Sequence, residues 1–314
     1  MLSALLDDFG RVPGMETLTL LEERCGHEYR QGACRRIQAQ DQETIFRELA
    51  GAADYTLVIA PEFDDALLTR CRWVVESRGR LLGPSLAAVK LTGDKLTLIH
   101  HLRSRGVPTP ESRLCVGVEE TLPASFPAVW KPRYGAGSQA TFLAKDPQDL
   151  RDCVRRARAE GWQTEALVQP FVPGTAASVA FLIGPRCRIP LLPAAQRLSE
   201  DGRFHYLGGS VPLPGDLVAR AIIAAERAVE AVPDLKGYVG VDVVLGSAAD
   251  GSGDAVIEIN PRPTTSYVGL RCLAETNLAE ALLHVAIRNE IPHIAWRSGA
   301  VQFDANGAVR FNPE

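Results

Sequence analysis

The feature that most restricts the fold of this chain is a glycine-rich stretch, Gly135-Ala136-Gly137-Ser138-Gln139-Ala140, set between two apolar runs. Its spacing fits G-x-G-x-x-A, the dinucleotide loop, which needs a helix directly after it so that the helix N-terminus can meet the pyrophosphate. Here the loop leads instead into Ala140-Thr141-Phe142-Leu143-Ala144, a strand-like run. No G-x-x-x-x-G-K-[S/T] occurs either, so the Rossmann and Walker readings both fail on context. What remains is a glycine hairpin with Lys131 four residues ahead of it. A loop of small residues can lay backbone N–H groups over phosphate oxygens, while a strand-borne lysine supplies fixed positive charge. The same residues also suit a plain β-turn beside a surface lysine, and this stretch alone does not decide.

The rest of the chain alternates strands and helices. Residues 15–21 and 55–60 read as buried strands of a small parallel sheet with covering helices. Such a unit usually opens with a strand and a glycine turn, whereas this chain opens with the helical MLSALLDDFG, so a first strand is expected to be missing. After Gly83-Pro84-Ser85 a second region begins. A helix capped at Thr92-Gly93-Asp94 buries Leu98, Ile99 and Leu102, and another, with Asp146 as N-cap and Pro147 following, buries Leu150, Cys153, Val154 and Ala157. Residues 166–184 read as a strand pair around Pro173-Gly174, followed by a helix at about 216–232. Two apolar strands follow at 238–245 and 255–260. A capping box, Asn277 with Glu280, opens a helix to about Asn289, and the tail from Ile291 is expected to dock as irregular strand.

Those two late strands carry polar residues that need a reason. Asp242 sits in YVGVDVVL, and Glu258 and Asn260 lie two apart in AVIEIN, hence on one face. A bare carboxylate among Val256, Ile257 and Ile259 is costly. Two carboxylates and an amide oxygen converging at a strand end suit Mg²⁺, or Mn²⁺, which takes oxygen ligands together with water and phosphate. Hydrogen-bonded turn formation before Pro261, with Asp242 paired to an arginine, is the competing explanation. Arg262 stands two residues beyond Asn260, placed to clamp a transferring phosphoryl group or a carboxylate.

Composition bounds the function class. The 314 residues carry 34 Lys+Arg against 38 Asp+Glu, a net charge of −4, which lacks the basic excess of a nucleic-acid binder. No apolar run reaches the roughly 18 residues of a spanning helix. Seven scattered cysteines without C-x-x-C read as reduced thiols, and so as a cytoplasmic protein.

Taken in order, GPSLAAVKLTGDK, FPAVWKPRYGAGSQATFLA, LVQPFVPG and VIEINPRPTTSY resemble the ATP-grasp superfamily of carboxylate–amine ligases over roughly residues 83–290. The resemblance implies a fold of mixed α/β and α+β class: a small Rossmann-like N-terminal domain (1–83), a central lobe (84–172) and a C-terminal lobe (173–314), the two lobes enclosing ATP. It implies that Lys95 and Lys131 hold ATP phosphates and that the loop with Gly135, Gly137 and Ser138 closes over them. Gln169, Phe171 and Val172 would form the interdomain hinge against adenine, and Asp242, Glu258 and Asn260 would hold magnesium. Lys131 and Arg262 would be the catalytic pair. The sequence departs from the family after the hinge, where Thr175-Ala176-Ala177 replaces the usual acidic residues, which leaves Ser178 as the candidate for the ribose. Within the superfamily, LVQPFVPGTAASVAFL, AAQRLSEDGRFHYLGGSVPLP and EINPRPTTSYVGL are most similar to the tyramine–L-glutamate ligases of methanofuran-type cofactor synthesis. That implies small-molecule acid and amine substrates, with Arg197, Tyr206 and Thr264 as candidate contacts beside Tyr267, and His205 as a candidate base. Another amino-acid or dipeptide ligase, or a non-catalytic ATP-binding module, are the alternatives. A homodimer is the default assembly.

Overall fold

A computed structural model describes residues 1–25, 32–115, 123–163 and 165–313. Its strands form three sheets of two, four and eight strands.

The N-terminal sheet pairs only Leu18–Glu22 with Ala33–Ile37, in parallel. The run at 55–60 is not a strand. It makes one bridge, Thr56 to Leu81, and is apolar because Val58 and Ala60 are buried beneath the helices Gln42–Ala52 and Ala66–Glu76, beside Ala50, Leu67 and Val74. The opening helix, Leu2–Phe9, packs against the far C-terminal helix Leu278–Leu283. Its Asp8, only 4% exposed, accepts from Arg271 (2.6 and 2.8 Å) and from the Tyr267 hydroxyl (2.7 Å).

The four-stranded sheet runs in the order Arg113–Cys115, Ala166–Pro170, Ala128–Pro132, Phe142–Ala144. Ala128–Pro132 and Phe142–Ala144 pair antiparallel across the glycine loop, as expected for a hairpin. Asp146 caps the covering helix Pro147–Ala159 by accepting from Gln148 N (2.8 Å) and Asp149 N (2.9 Å). Leu150, Cys153, Val154 and Ala157 are all buried beneath it. A helix absent from the sequence reading, Leu86–Gly93, is capped by Ser85 and runs into the helix Lys95–Ser104 capped by Asp94.

Ala166–Pro170 and Thr175–Ile183 do not pair with each other. They belong to different sheets, and Val172-Pro173-Gly174 carries the chain from one lobe to the other. Gly174 is required there: its φ is +154°, and a Cβ would lie 2.2 Å from the Leu245 carbonyl oxygen.

The eight-stranded sheet orders as Ala255–Asn260, Gly237–Leu245, Thr175–Ile183, Ala194–Leu198, Tyr206–Val211, Ala300–Asp304, Val309–Asn312, with Arg188–Pro190 branching from Thr175–Ile183. Strand alternation divides its core. Val179, Phe181, Val239, Val241 and Val243 meet the helix Leu217–Ala231 through Ala221, Ala225, Ala228 and Val229. Ala180, Leu182 and Tyr238 face the helices Ser266–Leu273 and Leu278–Leu283 on the other side. Asp242 belongs to this second face, at its open end. The C-terminal tail forms a regular antiparallel hairpin that extends the sheet edge, a more ordered arrangement than an irregular strand. The final helix is capped by Asn277 and ends in a π-helical turn, His284–Arg288, before Asn289. No helix among the described residues is long and apolar enough to cross a membrane, and all seven cysteines are free.

Because Asp8 is the buried partner of Arg271, Asp8→Ala leaves a guanidinium uncompensated. It should cost about 3 kcal/mol in a denaturant melt, as broken buried pairs do. A melt unchanged by Asp8→Ala would show that the opening helix does not anchor the C-terminal lobe.

Candidate active site

Between the four- and eight-stranded sheets lies a cleft of about 880 Å³. Its floor is the antiparallel pair Gly237–Leu245 and Ala255–Asn260, whose register sets Asp242 directly opposite Glu258 and Gly240 opposite Asn260. Asn260 Nδ2 donates to Asp242 Oδ2 (3.1 Å), and Gln196 Nε2 donates to Asp242 Oδ1 (2.9 Å). Burial and the facing Glu258 carboxylate push Asp242 above the usual carboxylate range. Burial acts in the same direction on Glu258, but the ammoniums of Lys95 and Lys131 outweigh it and hold Glu258 below its ordinary value. Two half-buried carboxylates brought face to face, with an amide that can turn either end toward them, fit a hard divalent cation as oxygen donors.

Opposite this floor stand the two lysines. Lys131, on Ala128–Pro132, is only 6% exposed and lines the cleft, and its ammonium makes no ion pair or hydrogen bond among the described residues. Burial lowers its pKa from 10.5 to about 8, Lys95 acting in the same sense and Glu258 and Asp242 against it. A buried ammonium without a partner is a costly arrangement that an anionic ligand would relieve. Lys95 opens its helix and donates from Nζ to the Gly135 carbonyl (2.6 Å), with Glu258 Oε2 at 3.4 Å, so it ties the glycine hairpin to the acidic floor. The hairpin is set by left-handed backbone at Gly137, Ser138 and Ala140. Behind it Arg133 grips Asp94 with two hydrogen bonds (2.6 and 2.8 Å) and reaches Glu165 (2.9 Å). Although burial opposes it, the Arg133 guanidinium with Thr97 holds the Asp94 carboxyl at about 2.

The hinge end is apolar. Gln169, 4% exposed, accepts from Ser112 Oγ (3.0 Å), and Phe171 stacks on Phe204 with centroids 6.0 Å apart. Phe204 comes from the connection between Ala194–Leu198 and Tyr206–Val211, which straps the C-terminal lobe to the central one. Gly202 O accepts from Leu143 N (2.8 Å), and Arg203 pairs with Glu160 (2.8 and 2.9 Å) while lying 4.1 Å over the Phe142 ring. Val172 and Thr175 also line this end.

The structure therefore gathers Lys95, Lys131, Gly135, Gly137, Ser138, Gln169, Phe171, Val172, Ser178, Asp242, Glu258, Asn260, Arg262, Tyr206 and Thr264 around one cleft. Three expectations change. Arg197 does not line it: its guanidinium donates to the Leu207 carbonyl (3.1 Å) on the exposed side, because period-two alternation turns the neighbouring Gln196 inward instead. Ser178 is paired in register with Asp242, at the carboxylate end and not the hinge end, which removes the reason to place a ribose on it. His205 is exposed and lies outside the cleft lining. Thr264 Oγ1 is within 2.9 Å of Ser266 Oγ, and burial with the nearby Asp242 carboxylate raises the Tyr206 hydroxyl pKa. Arg262 is held by Glu62 through two 2.8 Å hydrogen bonds, a contact across 200 residues that no local pattern announces. Gln196 and Phe204 were also missed; alternation along 194–198 was the available signal for the first.

An ATP-grasp domain matches residues 92–266, and a pre ATP-grasp 3 domain matches residues 15–89. The chain belongs to the ATP-grasp family. It is 29% identical over 238 residues to the tyramine–L-glutamate ligase of Methanocaldococcus jannaschii, covering 76% of this chain and 64% of that one. The chain thus spans a little under two thirds of that relative's length. Solved structures share the fold: an L-amino acid ligase from Bacillus licheniformis (TM-score 0.74, 16% identity, 95% of this chain and 75% of that one) and an N5-carboxyaminoimidazole synthetase from Staphylococcus aureus complexed with ADP (TM-score 0.75, 17% identity, 96% and 79%).

A site built for a ligand should be a burden to the empty protein. Replacing Lys131 with Met removes a buried, unpartnered charge, and should stabilise the free protein by about 1–3 kcal/mol while weakening ADP binding at least about tenfold. The sign follows from the lowered pKa: folding is penalised fully below about 8, and the penalty vanishes as pH rises from 8 to 10.5. The gain should fade over that window. Destabilisation together with unchanged ADP affinity would assign Lys131 to the core.

Proposed function

We propose that the cleft binds ATP with Mg²⁺ and that the protein is an ADP-forming ligase joining a carboxylate to an amine. The observation that carries this reading is the Lys131 ammonium, without a hydrogen-bond or ion-pair partner among the described residues, facing two half-buried carboxylates, with a glycine hairpin tied between them by Lys95. An anionic triphosphate would offer Lys131 its partner, and Asp242 and Glu258 would hold the divalent ion that comes with it. Phe171 and Phe204 supply an apolar wall for the base at the hinge. When bound, the ion at Asp242, Glu258 and Asn260 would neutralise phosphate charge and hold the oxygens in line.

The acid substrate's carboxylate oxygen attacks the γ-phosphorus, the bridge between β and γ phosphates breaks, and ADP leaves with the bridging oxygen. The amine, as its neutral base, then attacks the acyl carbon. The bond to the phosphoryl oxygen breaks, and the products are an amide, phosphate and a released proton. Little covalent work falls on side chains, so the chain's contribution is positioning and charge. Lys131 and Lys95 hold phosphate oxygens against the floor. Arg262, at the end of the metal-binding strand, steadies the transferring group or the incoming carboxylate. The Gly135–Ser138 loop lines the cleft, and keeping water out there would protect the activated acid.

For the substrates, we propose L-glutamate and tyramine. Support comes from the identity to the archaeal tyramine–L-glutamate ligase across three quarters of this chain. The fold likeness to an L-amino acid ligase agrees with the broader class.

The test is to incubate the purified protein with ATP, Mg²⁺, glutamate and tyramine, then seek glutamyl-tyramine and ADP by mass spectrometry. Product that requires both substrates is the expected result. ADP that rises with glutamate but yields no tyramine adduct would displace tyramine and keep the ligase, and no acid-dependent ADP at all would overturn the ligase. Glu258→Gln should raise the Mg²⁺ concentration needed for half activity about tenfold or more, and an unchanged titration would remove Glu258 from the metal site.

A further inference from the structure

The N-terminal unit sets a buried carboxylate, Glu62, against a residue that lines the cleft, Arg262. Glu62 is 8% exposed and ends the run Val58-Ile59-Ala60-Pro61. Directly after it, Asp64 and Asp65 both adopt left-handed backbone (φ 52°), an unusual consecutive pair for residues other than glycine. That hook sets Glu62 against the strand end at Arg262 while Phe63 reaches the cleft wall.

The geometry of the pair is directional. Glu62 takes the side edge of the guanidinium: Oε1 accepts from Nε and Oε2 from Nη2, each at 2.8 Å. Nη1 makes one long contact, 3.4 Å, with the Pro263 carbonyl. A guanidinium carries five N–H groups, so two remain for a ligand. Both ends of the pair are largely buried, with side-chain exposures of 15% for Arg262 and 6% for Glu62. A buried pair of this kind repays its desolvation poorly as a source of stability, and fixing one arginine conformation is the better-attested use. The long arginine side chain would otherwise lose rotamer freedom on each encounter with substrate.

We infer that Glu62 is the positioning residue for Arg262: it grips the side edge of the guanidinium so that the remaining N–H groups stay aimed into the cleft at an oxyanion, the transferring phosphoryl group or the acid's carboxylate. The N-terminal unit is then part of the reaction centre, acting through this one contact. The inference rests on the reading of Arg262 given under the proposed function.

Inorganic phosphate, titrated calorimetrically into protein saturated with ADP and Mg²⁺, probes the arginine without requiring turnover. Glu62→Ala should weaken phosphate binding about tenfold, roughly 1.4 kcal/mol, with ADP affinity unchanged. Arg262→Ala should do the same, and the double variant should be no weaker than Arg262→Ala alone, since Glu62 has nothing to position once the arginine is gone. Glu62→Gln, which keeps one acceptor for the guanidinium, should recover part of the affinity. Phosphate affinity unmoved by Glu62→Ala, losses that add in the double variant, or an equal fall in ADP affinity would each overturn the inference. Failure of the ligase reading would appear separately, as a wild-type protein that binds phosphate beside ADP yet makes no acid-dependent ADP.

Discussion

Two carboxylates facing each other inside a sheet impose a demand that the rest of the structure answers. Asp242 and Glu258 are cross-strand partners in an otherwise apolar pair of strands, and in a low dielectric their mutual repulsion has to be met by positive charge. Lys95 answers from a helix start and Lys131 from the opposing sheet. Neither lysine is local in sequence, so the floor's charge is balanced only when the lobes come together: Lys95 lies 3.4 Å from Glu258, while for Lys131 burial outweighs what the carboxylates return. The Lys131 ammonium, which lines the same cleft, has no hydrogen-bond or ion-pair partner of its own among the described residues. Folding thus builds a charge arrangement that a nucleotide and its metal would complete.

The supporting contacts show how that arrangement is held. The Asp94 carboxylate caps the helix that begins at Lys95 and is also the anchor for Arg133 behind the glycine hairpin, so one side chain fixes both the lysine and the loop it binds. At the other end, Arg203 with Glu160, and Phe204 on Phe171, strap the C-terminal lobe across the hinge. Glu62 brings in the N-terminal unit. The Arg203, Phe204 and Glu62 contacts each cross between parts of the chain, while that of Asp94 joins helix and hairpin within the central lobe.

Much of this was legible in the sequence where chemistry is local. The caps at Asp94, Asp146 and Asn277, the stripe of Leu150, Cys153, Val154 and Ala157, and the strands carrying Asp242, Glu258 and Asn260 all follow from spacing and side-chain type. What failed was non-local or depended on phase. The run at 55–60 is apolar because helices cover it, and hydrophobicity alone cannot distinguish that from a ladder. Gln196 and Arg197 differ by one position, and without knowing the strand's register the charged residue looks the better ligand; the pleat turns it outward. Pro173-Gly174 reads as a hairpin turn although it is a crossing between sheets. The contact from Glu62 to Arg262 spans 200 residues and has no sequence signature.

In the proposed reaction the cleft moves the γ-phosphoryl group of ATP onto a substrate carboxylate before an amine attacks. Supplying glutamate labelled with ¹⁸O in its carboxylates, together with ATP, Mg²⁺ and tyramine, tests that step directly, because an acylphosphate route must carry one carboxylate oxygen into the released phosphate. The account predicts phosphate bearing one ¹⁸O for each amide formed. Amide accompanied by unlabelled phosphate would contradict it.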